Sequence, residues 1–202
     1  MKLTASLTSP YARKIRVLLA EKKIPHQLEV DSPWETDTAV PALNPLGKVP
    51  VLESDEGEVF FDSPVIAGFL EALDQPPHFM PQDGMAAVRV RQTEALADGI
   101  LDAAVLAHLE RMRPAEAQLA SNIERQCAKI ERALQTLETR LGDTPWFHDG
   151  RISLADVAVG CALEYLDLRL PTLNWRERFP GLTAFAARIG ARPSFVSTRP
   201  PG

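Results

Sequence analysis

Asn44-Pro45-Leu46-Gly47-Lys48-Val49-Pro50-Val51-Leu52, followed by Phe61-Asp62-Ser63-Pro64-Val65-Ile66, is the stretch on which the reading of this chain turns. A Gly-containing turn leads into Val49-Pro50 at the head of an apolar strand expected over 49–53. Proline brings no N–H to a sheet ladder, so Pro50 belongs at an edge or in a special turn. A cis Val49-Pro50 bond suits that place, because cis peptides are nearly always X-Pro. Such a strand leaves the backbone N–H and C=O of Val49 available to an extended peptide ligand. Asp62-Ser63-Pro64 then precedes the apolar-periodic set Ile66, Phe69, Leu70 and Leu73. That is a helix start with Ser63 as N-cap and Pro64 at the first helical position. A helix N-terminus attracts carboxylates and phosphates.

Upstream, Leu3, Ala5 and Leu7 alternate with polar residues as in a half-buried strand. Ser9-Pro10 opens a helix carrying Ile15, Val17, Leu18 and Leu19 and ending near Lys22-Lys23. A second strand is expected over 26–30, a loop over 31–43, and a hairpin of 49–53 with 58–61 around Asp55-Glu56-Gly57. The order is β-α-β-loop-β-β-α, which packs helices on a small mixed sheet.

Downstream the composition changes. Residues 76–84 hold three prolines and a glycine and read as a linker between a domain at 1–75 and one at 85–202. After Met85 nothing reads as a strand. Met85–Met112 is expected as one long helix with Val88, Leu96, Ile100, Val105 and Leu109 as its apolar set, and 115–141 as a second, closed by Gly142. Ser153-Leu154-Ala155-Asp156 starts a third, with a capping-box-like acid three residues after the cap. This helix is apolar nearly all round and is expected to be central. Leu182, Phe185, Ala186 and Ile189 mark a fourth.

At 202 residues and a formal charge of −5, the chain lacks the basic stripe of a general nucleic-acid binder. No run reaches the roughly 18 apolar residues that cross a membrane, and the N-terminus does not read as a signal peptide. Cys127 and Cys161 are far apart, without metal spacing, and read as free thiols of a reducing compartment. His26, His78, His108 and His148 show no ligand spacing, so no metal site is expected.

Asn44–Leu52 with Asp62–Leu70 resembles the N-terminal half of the glutathione S-transferase family. Ile152–Asp156, Phe179–Leu182 and Arg192–Phe195 resemble structural motifs of its helical half, so the resemblance covers nearly the whole chain. It implies an α/β thioredoxin-like N-terminal domain plus an all-α C-terminal domain, glutathione as co-substrate, and a cytoplasmic homodimer engaged in detoxification. In the family, the residue matching Val49 pairs its backbone with the cysteinyl unit, and the pair matching Asp62-Ser63 holds the γ-glutamyl end. The loop before the Val-Pro motif often serves the glycine end, here through the Trp34 indole N–H or the Lys48 charge. In Ser-type bacterial members a serine at the position of Ser9, with a basic residue like Arg13 four places on, donates to the glutathione sulfur. Related subfamilies place the active hydroxyl at the position of Thr8.

That chemistry needs a thiolate at neutral pH, although a free thiol has a pKa near 8.5. A hydroxyl donor and a helix N-terminus aimed at sulfur favour the anion. Ser9 both caps its helix as an acceptor and keeps a proton to donate; Thr8 is the runner-up. With serine rather than cysteine before Pro10, thiol–disulfide exchange by this residue is unavailable. Arg13, Lys14 and Arg16 form a basic group that either offsets ligand charge or forms a solvated or salt-bridged face. The second substrate, a small electrophile, is expected between the domains, with Tyr11, His108, Arg111 and Met112 as candidate walls. Glu94, Asp98 and Asp102 recur at four-residue spacing, and the resemblance makes Asp98 the candidate for a contact across the dimer. Two rivals keep the same fold. One is a glutathione-dependent isomerase or thiol-lyase with Arg111 or Arg113 for acidic substrates. The other is a non-catalytic glutathione-binding or protein-interaction module.

Overall fold

The computed structural model describes residues 1–148 and 150–201. It divides into two compact units. The first comprises Met1–Phe79 with the chain from Ala191 onward, and the second Met80–Gly190.

The first unit is built on a four-stranded sheet in the order β2-β1-β3-β4. β1 (Lys2–Ala5) is central because Leu3, Thr4 and Ala5 are all buried. β2 (Gln27–Val30) pairs with it in parallel, and β3 (Val51–Glu53) antiparallel, with Thr4 opposite Val51. β4 (Val59–Phe60) closes the hairpin with β3, Leu52 facing Phe60. The ladder of β3 begins at Val51 rather than at Val49, since Pro50 has no N–H to offer it. The order matches the expected α/β pattern.

α1 (Pro10–Lys22) is buried on most of its surface, including Ile15, Val17, Leu18 and Leu19. Its charges do not form the solvated face allowed above. Arg13 is 3% exposed and donates from Nη2 to the Phe195 carbonyl at 3.2 Å. Lys14 is fully buried. Arg16 donates from Nη1 to the Thr198 carbonyl at 3.3 Å. Phe195 lies within α9 (Pro193–Ser197), and Thr198 just past it. The Glu21 carboxylate receives Arg192 through Nε and Nη2 at 2.7 and 2.8 Å, and the Ser194 hydroxyl at 2.6 Å. These bonds fasten the terminal segment to α1, so it packs with the sheet and not with the helical half in which the sequence reading put it. At the other end, Lys22 Nζ donates to the carbonyls of Gln75 and Pro77 at 2.8 and 2.9 Å and faces Glu71 at 3.0 Å. α2 (Val40–Leu43) is one short turn before the Asn44 loop. α3 (Ser63–Ala72) buries Ile66, Ala67 and Leu70.

The second unit is helical. α4 (Gly84–Arg111) packs on α5 (Ala120–Leu141) and α6 (Leu154–Arg169). α5 begins five residues later than expected, because Ala115–Ala117 form a separate 3-10 turn after Pro114. Of the apolar set expected on α4 only Ile100 is fully enclosed, and Val88 is 56% exposed. Buried beside Ile100 are Val90, Thr93, Glu94, Leu101 and the four alanines Ala97, Ala103, Ala104 and Ala107, whose small side chains let neighbouring helices approach. α6 is enclosed over most of its length, as its all-round apolarity required. Its capping box forms: Asp156 accepts from the Ser153 N–H at 2.8 Å and the Ser153 hydroxyl at 2.7 Å, and also from the Phe147 N–H at 2.9 Å. Burial pushes the Asp156 carboxyl up, against these donors and the nearby His148. α7 (Trp175–Arg178) and α8 (Pro180–Gly190) complete the unit. Glu138 of α5 accepts the Gly181 and Leu182 N–H groups, both at 2.8 Å, at the start of α8. Among the described residues no helix is long and apolar enough to cross a membrane.

Candidate functional site

Strand register brings the candidate residues of the first unit to one end of the sheet. Thr4 faces Val51 in antiparallel pairing, so two residues further along each strand Ser6 comes level with Val49. Leu52 faces Phe60, so Asp62 comes level with Pro50. β2 runs parallel to β1, and the Asp31 N–H donates to the Ala5 carbonyl at 3.2 Å, so the loop that carries Trp34 leaves from the same end. The turn before α1, the Val49-Pro50 step, the N-terminus of α3 and the 31–39 loop therefore share one edge.

The turn before α1 is closed by the Ser9 N–H donating to the Ser6 carbonyl at 3.1 Å. Ser9 is the N-cap, in extended conformation, and its Oγ accepts the Ala12 N–H at 3.2 Å. Capping uses an oxygen lone pair and leaves the hydroxyl proton for another acceptor. Thr8 Oγ1 lies 3.2 Å from Ser6 Oγ and shares a proton with it. Of the two hydroxyls, Ser9 is the one seated on a helix N-terminus, where partial positive charge from unpaired N–H groups gathers.

The approach to Val49 is organised by Asn44, to which the sequence reading gave no role of its own. Asn44 is 1% exposed. Its Nδ2 donates to the Lys48 carbonyl at 2.8 Å, its Oδ1 accepts the Leu46 N–H at 3.0 Å, and its carbonyl accepts the Gly47 N–H at 2.8 Å. Gly47 has φ 61°, the left-handed region that favours glycine. The Val49-Pro50 peptide is cis. Among the described residues no hydrogen bond engages the Val49 N–H or C=O, and Lys48 is exposed. The Asn-x-x-Gly pattern was the signal available in the sequence.

At α3 the helix starts one residue earlier than expected. Asp62 is the N-cap residue and Ser63 is the first helical position, because the Asp62 carbonyl already accepts the Ile66 N–H at 2.9 Å. Asp62 is exposed, while Ser63 is 1% exposed. Trp34 is 74% exposed, in a loop closed by the Asp31 carboxylate accepting the Ala39 N–H at 2.9 Å. Tyr11 is half-buried, one residue into α1.

In the second unit the three acids of α4 differ in exposure. Glu94 is 2% exposed and receives Arg91 Nη1 at 2.8 Å, Asp98 is half-buried, and Asp102 is exposed. His108 and Arg111 are half-buried in the last turn of α4, and Met112 just beyond is 69% exposed. Burial, followed by the charges of Arg169 and Arg111, holds the His108 imidazole below its ordinary range. Among the described residues no group of histidine, cysteine and carboxylate side chains is arranged to hold a metal.

A thioredoxin-like sheet followed by a helical unit, with two helix N-termini and a strand-starting Val-Pro at one edge of the sheet, defines a class, and the comparisons agree with it. Residues 8–73 match the family model "Glutathione S-transferase, N-terminal domain", and residues 120–188 match "Glutathione S-transferase, C-terminal domain". The chain belongs to the glutathione S-transferase family. It is similar to the uncharacterised GST-like protein YibF of Escherichia coli K12, 42% identical over 201 residues and covering 100% of this chain and 99% of that one. It is also similar to the maleylacetoacetate isomerase of Pseudomonas aeruginosa, 30% identical over 99% of this chain and 96% of the relative. Among solved structures, the glutathione S-transferase of Methylobacillus flagellatus KT, solved with GSH bound, is 43% identical with a TM-score of 0.94 over 99% of both chains.

Proposed function

We propose that the protein binds glutathione at this edge of the sheet, stabilises its thiolate and adds it to a small electrophile. Glutathione lies extended, its cysteinyl unit paired with the backbone of Val49. Its γ-glutamyl end meets Asp62 and the N-terminus of α3, and its glycine end meets Lys48 or Trp34. Ser9 donates its hydroxyl proton to the sulfur while the N-terminus of α1 adds its partial charge. The observation that carries this reading is the geometry at Ser9, whose oxygen is occupied as an acceptor by Ala12 and whose proton is not consumed by the cap. Lowering the bound thiol pKa by about two units corresponds to ~2.7 kcal/mol in favour of the anion.

The proposed assembly is a homodimer in which Asp98 of one subunit reaches the γ-glutamyl ammonium bound by the other. Cys127 and Cys161 form no disulfide, which suits the reducing cytoplasm in which glutathione is abundant. No metal takes part. A second reading, favoured by the identity to maleylacetoacetate isomerase, has the same thiolate add to a double bond and leave again after rotation, so that glutathione is regenerated.

A pH titration of the ultraviolet absorbance of bound glutathione thiolate tests the reading in wild type, Ser9→Ala and Thr8→Val. The expected result is a bound pKa well below the free value in wild type and Thr8→Val, returning toward it in Ser9→Ala. An unshifted pKa in wild type refutes thiolate activation. A shift lost in Thr8→Val but kept in Ser9→Ala transfers the role to Thr8. Recovery of free glutathione after turnover separates the isomerase from the transferase.

A further inference from the structure

Within the sheet-bearing unit, α1 meets the terminal segment at three points along its length. Arg13, at the end of the first turn, donates from Nη2 to the Phe195 carbonyl at 3.2 Å, and its guanidinium carbon lies 5.5 Å from the centre of the Phe195 ring. Arg16, nearly a turn further on, reaches the Thr198 carbonyl at 3.3 Å. Glu21, in the last turn, holds Arg192 and Ser194. The first contact is enclosed from both sides: Arg13 is 3% exposed and Phe195 0%.

The two helices complete each other there. The last four carbonyls of a helix have no intrahelical partner, and that of Phe195 is among them in the five-residue α9. Arginine is a poor choice for the first turn of α1 taken alone. A cation there opposes the partial positive charge of the helix N-terminus, and burial adds the cost of lost hydration. A carbonyl at hydrogen-bond distance and an aromatic face offset both.

Arg13 also belongs to the turn that begins at Ser9. Its own N–H donates to the Ser9 carbonyl at 3.0 Å, next to the Ala12 N–H that donates to Ser9 Oγ at 3.2 Å. Side chains of a helix lean toward its N-terminus, so the guanidinium lies alongside that turn. Helix ends fray unless something outside the helix holds them. Phe195 holds this one through Arg13.

We infer that the terminal segment is a working part of the sulfur site: Phe195, acting through Arg13, fixes the place of Ser9, and both are positioning residues; the sulfur chemistry rests on the glutathione-dependent reading above. A hydroxyl that must meet a sulfur works only if its own placement is held to about 0.5 Å. Loosening the segment leaves the Val49 and Asp62 contacts to glutathione in place but releases Ser9. It therefore costs thiolate stabilisation more than it costs binding.

The test compares wild type, Arg13→Ala and Arg192→Ala. The last frees the segment at its other anchor and leaves the Arg13 charge in place. Three quantities are read on the whole protein: the pKa of the bound glutathione thiol, the glutathione affinity at about pH 5.5, where the thiol is protonated, and hydrogen exchange of the Ala12 amide. The expected result is a bound pKa raised toward the free value in both variants, with the affinity at low pH changed less than about threefold. Ala12 exchange should speed about tenfold more than the loss of global stability accounts for. Ser194→Ala, a milder loosening of the same anchor, should move both in the same direction by less. A bound pKa at the wild-type value in Arg192→Ala and Ser194→Ala, or Ala12 exchange that follows global stability alone, overturns the inference. A pKa raised in Arg13→Ala alone reports a lost charge rather than a loosened segment, and overturns it too. An unshifted pKa in wild type counts instead against the thiolate reading, and Ala12 exchange then decides by itself whether the segment holds the Ser9 turn.

Discussion

Replacing Arg192 by Ala cuts the contact that fastens the terminal segment to α1. The Glu21 side chain is 11% exposed and that of Arg192 32%. Glu21 accepts two guanidinium donors and the Ser194 hydroxyl. An exposed ion pair contributes about 0–1 kcal/mol, and breaking a fully buried one costs about 3–5 kcal/mol. With bidentate geometry, one partner largely enclosed and the other a third exposed, the expected loss at pH 7 is ~2–3 kcal/mol. The pH dependence supplies a sharper check. Burial raises the Glu21 carboxyl, but the hydrogen bonds from Arg192 and Ser194, together with the Arg192 charge, outweigh it and hold the group below its ordinary value of about 4.5. A folded-state pKa below the unfolded one means stability that is present above pH 4.5 and is lost as pH falls through the folded value. In Arg192→Ala the burial penalty is opposed by Ser194 alone, so the folded pKa rises. The cost of the substitution is therefore largest at neutral pH and shrinks in acid, where Glu21 is protonated in both proteins. Urea unfolding of the two proteins from pH 3.5 to 7 measures this. A loss under about 0.5 kcal/mol at pH 7, within the range of an ordinary surface substitution, or a loss independent of pH, refutes the account.

Asn44→Ala removes the donor to Lys48 and the acceptor for Leu46. It should weaken glutathione binding several-fold and cost about 1–2 kcal/mol of stability, measured by calorimetric titration and urea unfolding. Asp156→Ala strands the N–H groups of Phe147 and Ser153 inside the helical unit. It should cost ~3 kcal/mol, while Asp156→Asn, which keeps one acceptor, should cost less; thermal unfolding ranks the two.

Much of the sheet-bearing unit was legible because its signals are local. A proline at the head of a strand and a serine before a Pro-initiated helix each fix backbone within a few residues, and the register then follows from the hairpin. The N-cap at α3 slipped by one residue because Asp and Ser are both good caps and side by side. α4 was misread for a different reason. Its buried face is lined by alanines, which periodicity of large apolar residues does not detect, while Val88 and Met85 lie on the exposed side. The burial of Arg13 and Lys14 was equally hidden. Arginine and lysine read as surface, and for Arg13 nothing in a local window announces the return of the chain at Phe195 that meets it. Asn44 was overlooked because its work lies in its side-chain bonds rather than in the turn it starts.

That return also shapes how the protein is made. Because the terminal segment completes the unit in which the chain begins, the helical unit is an insertion between two parts of its neighbour. Synthesis delivers the sheet first, then the whole insertion, and only after it the strap fastened to α1. During that interval Arg13 lacks its bond to Phe195, Glu21 lacks those from Arg192 and Ser194, and the first unit stays incomplete long after its last strand has been made.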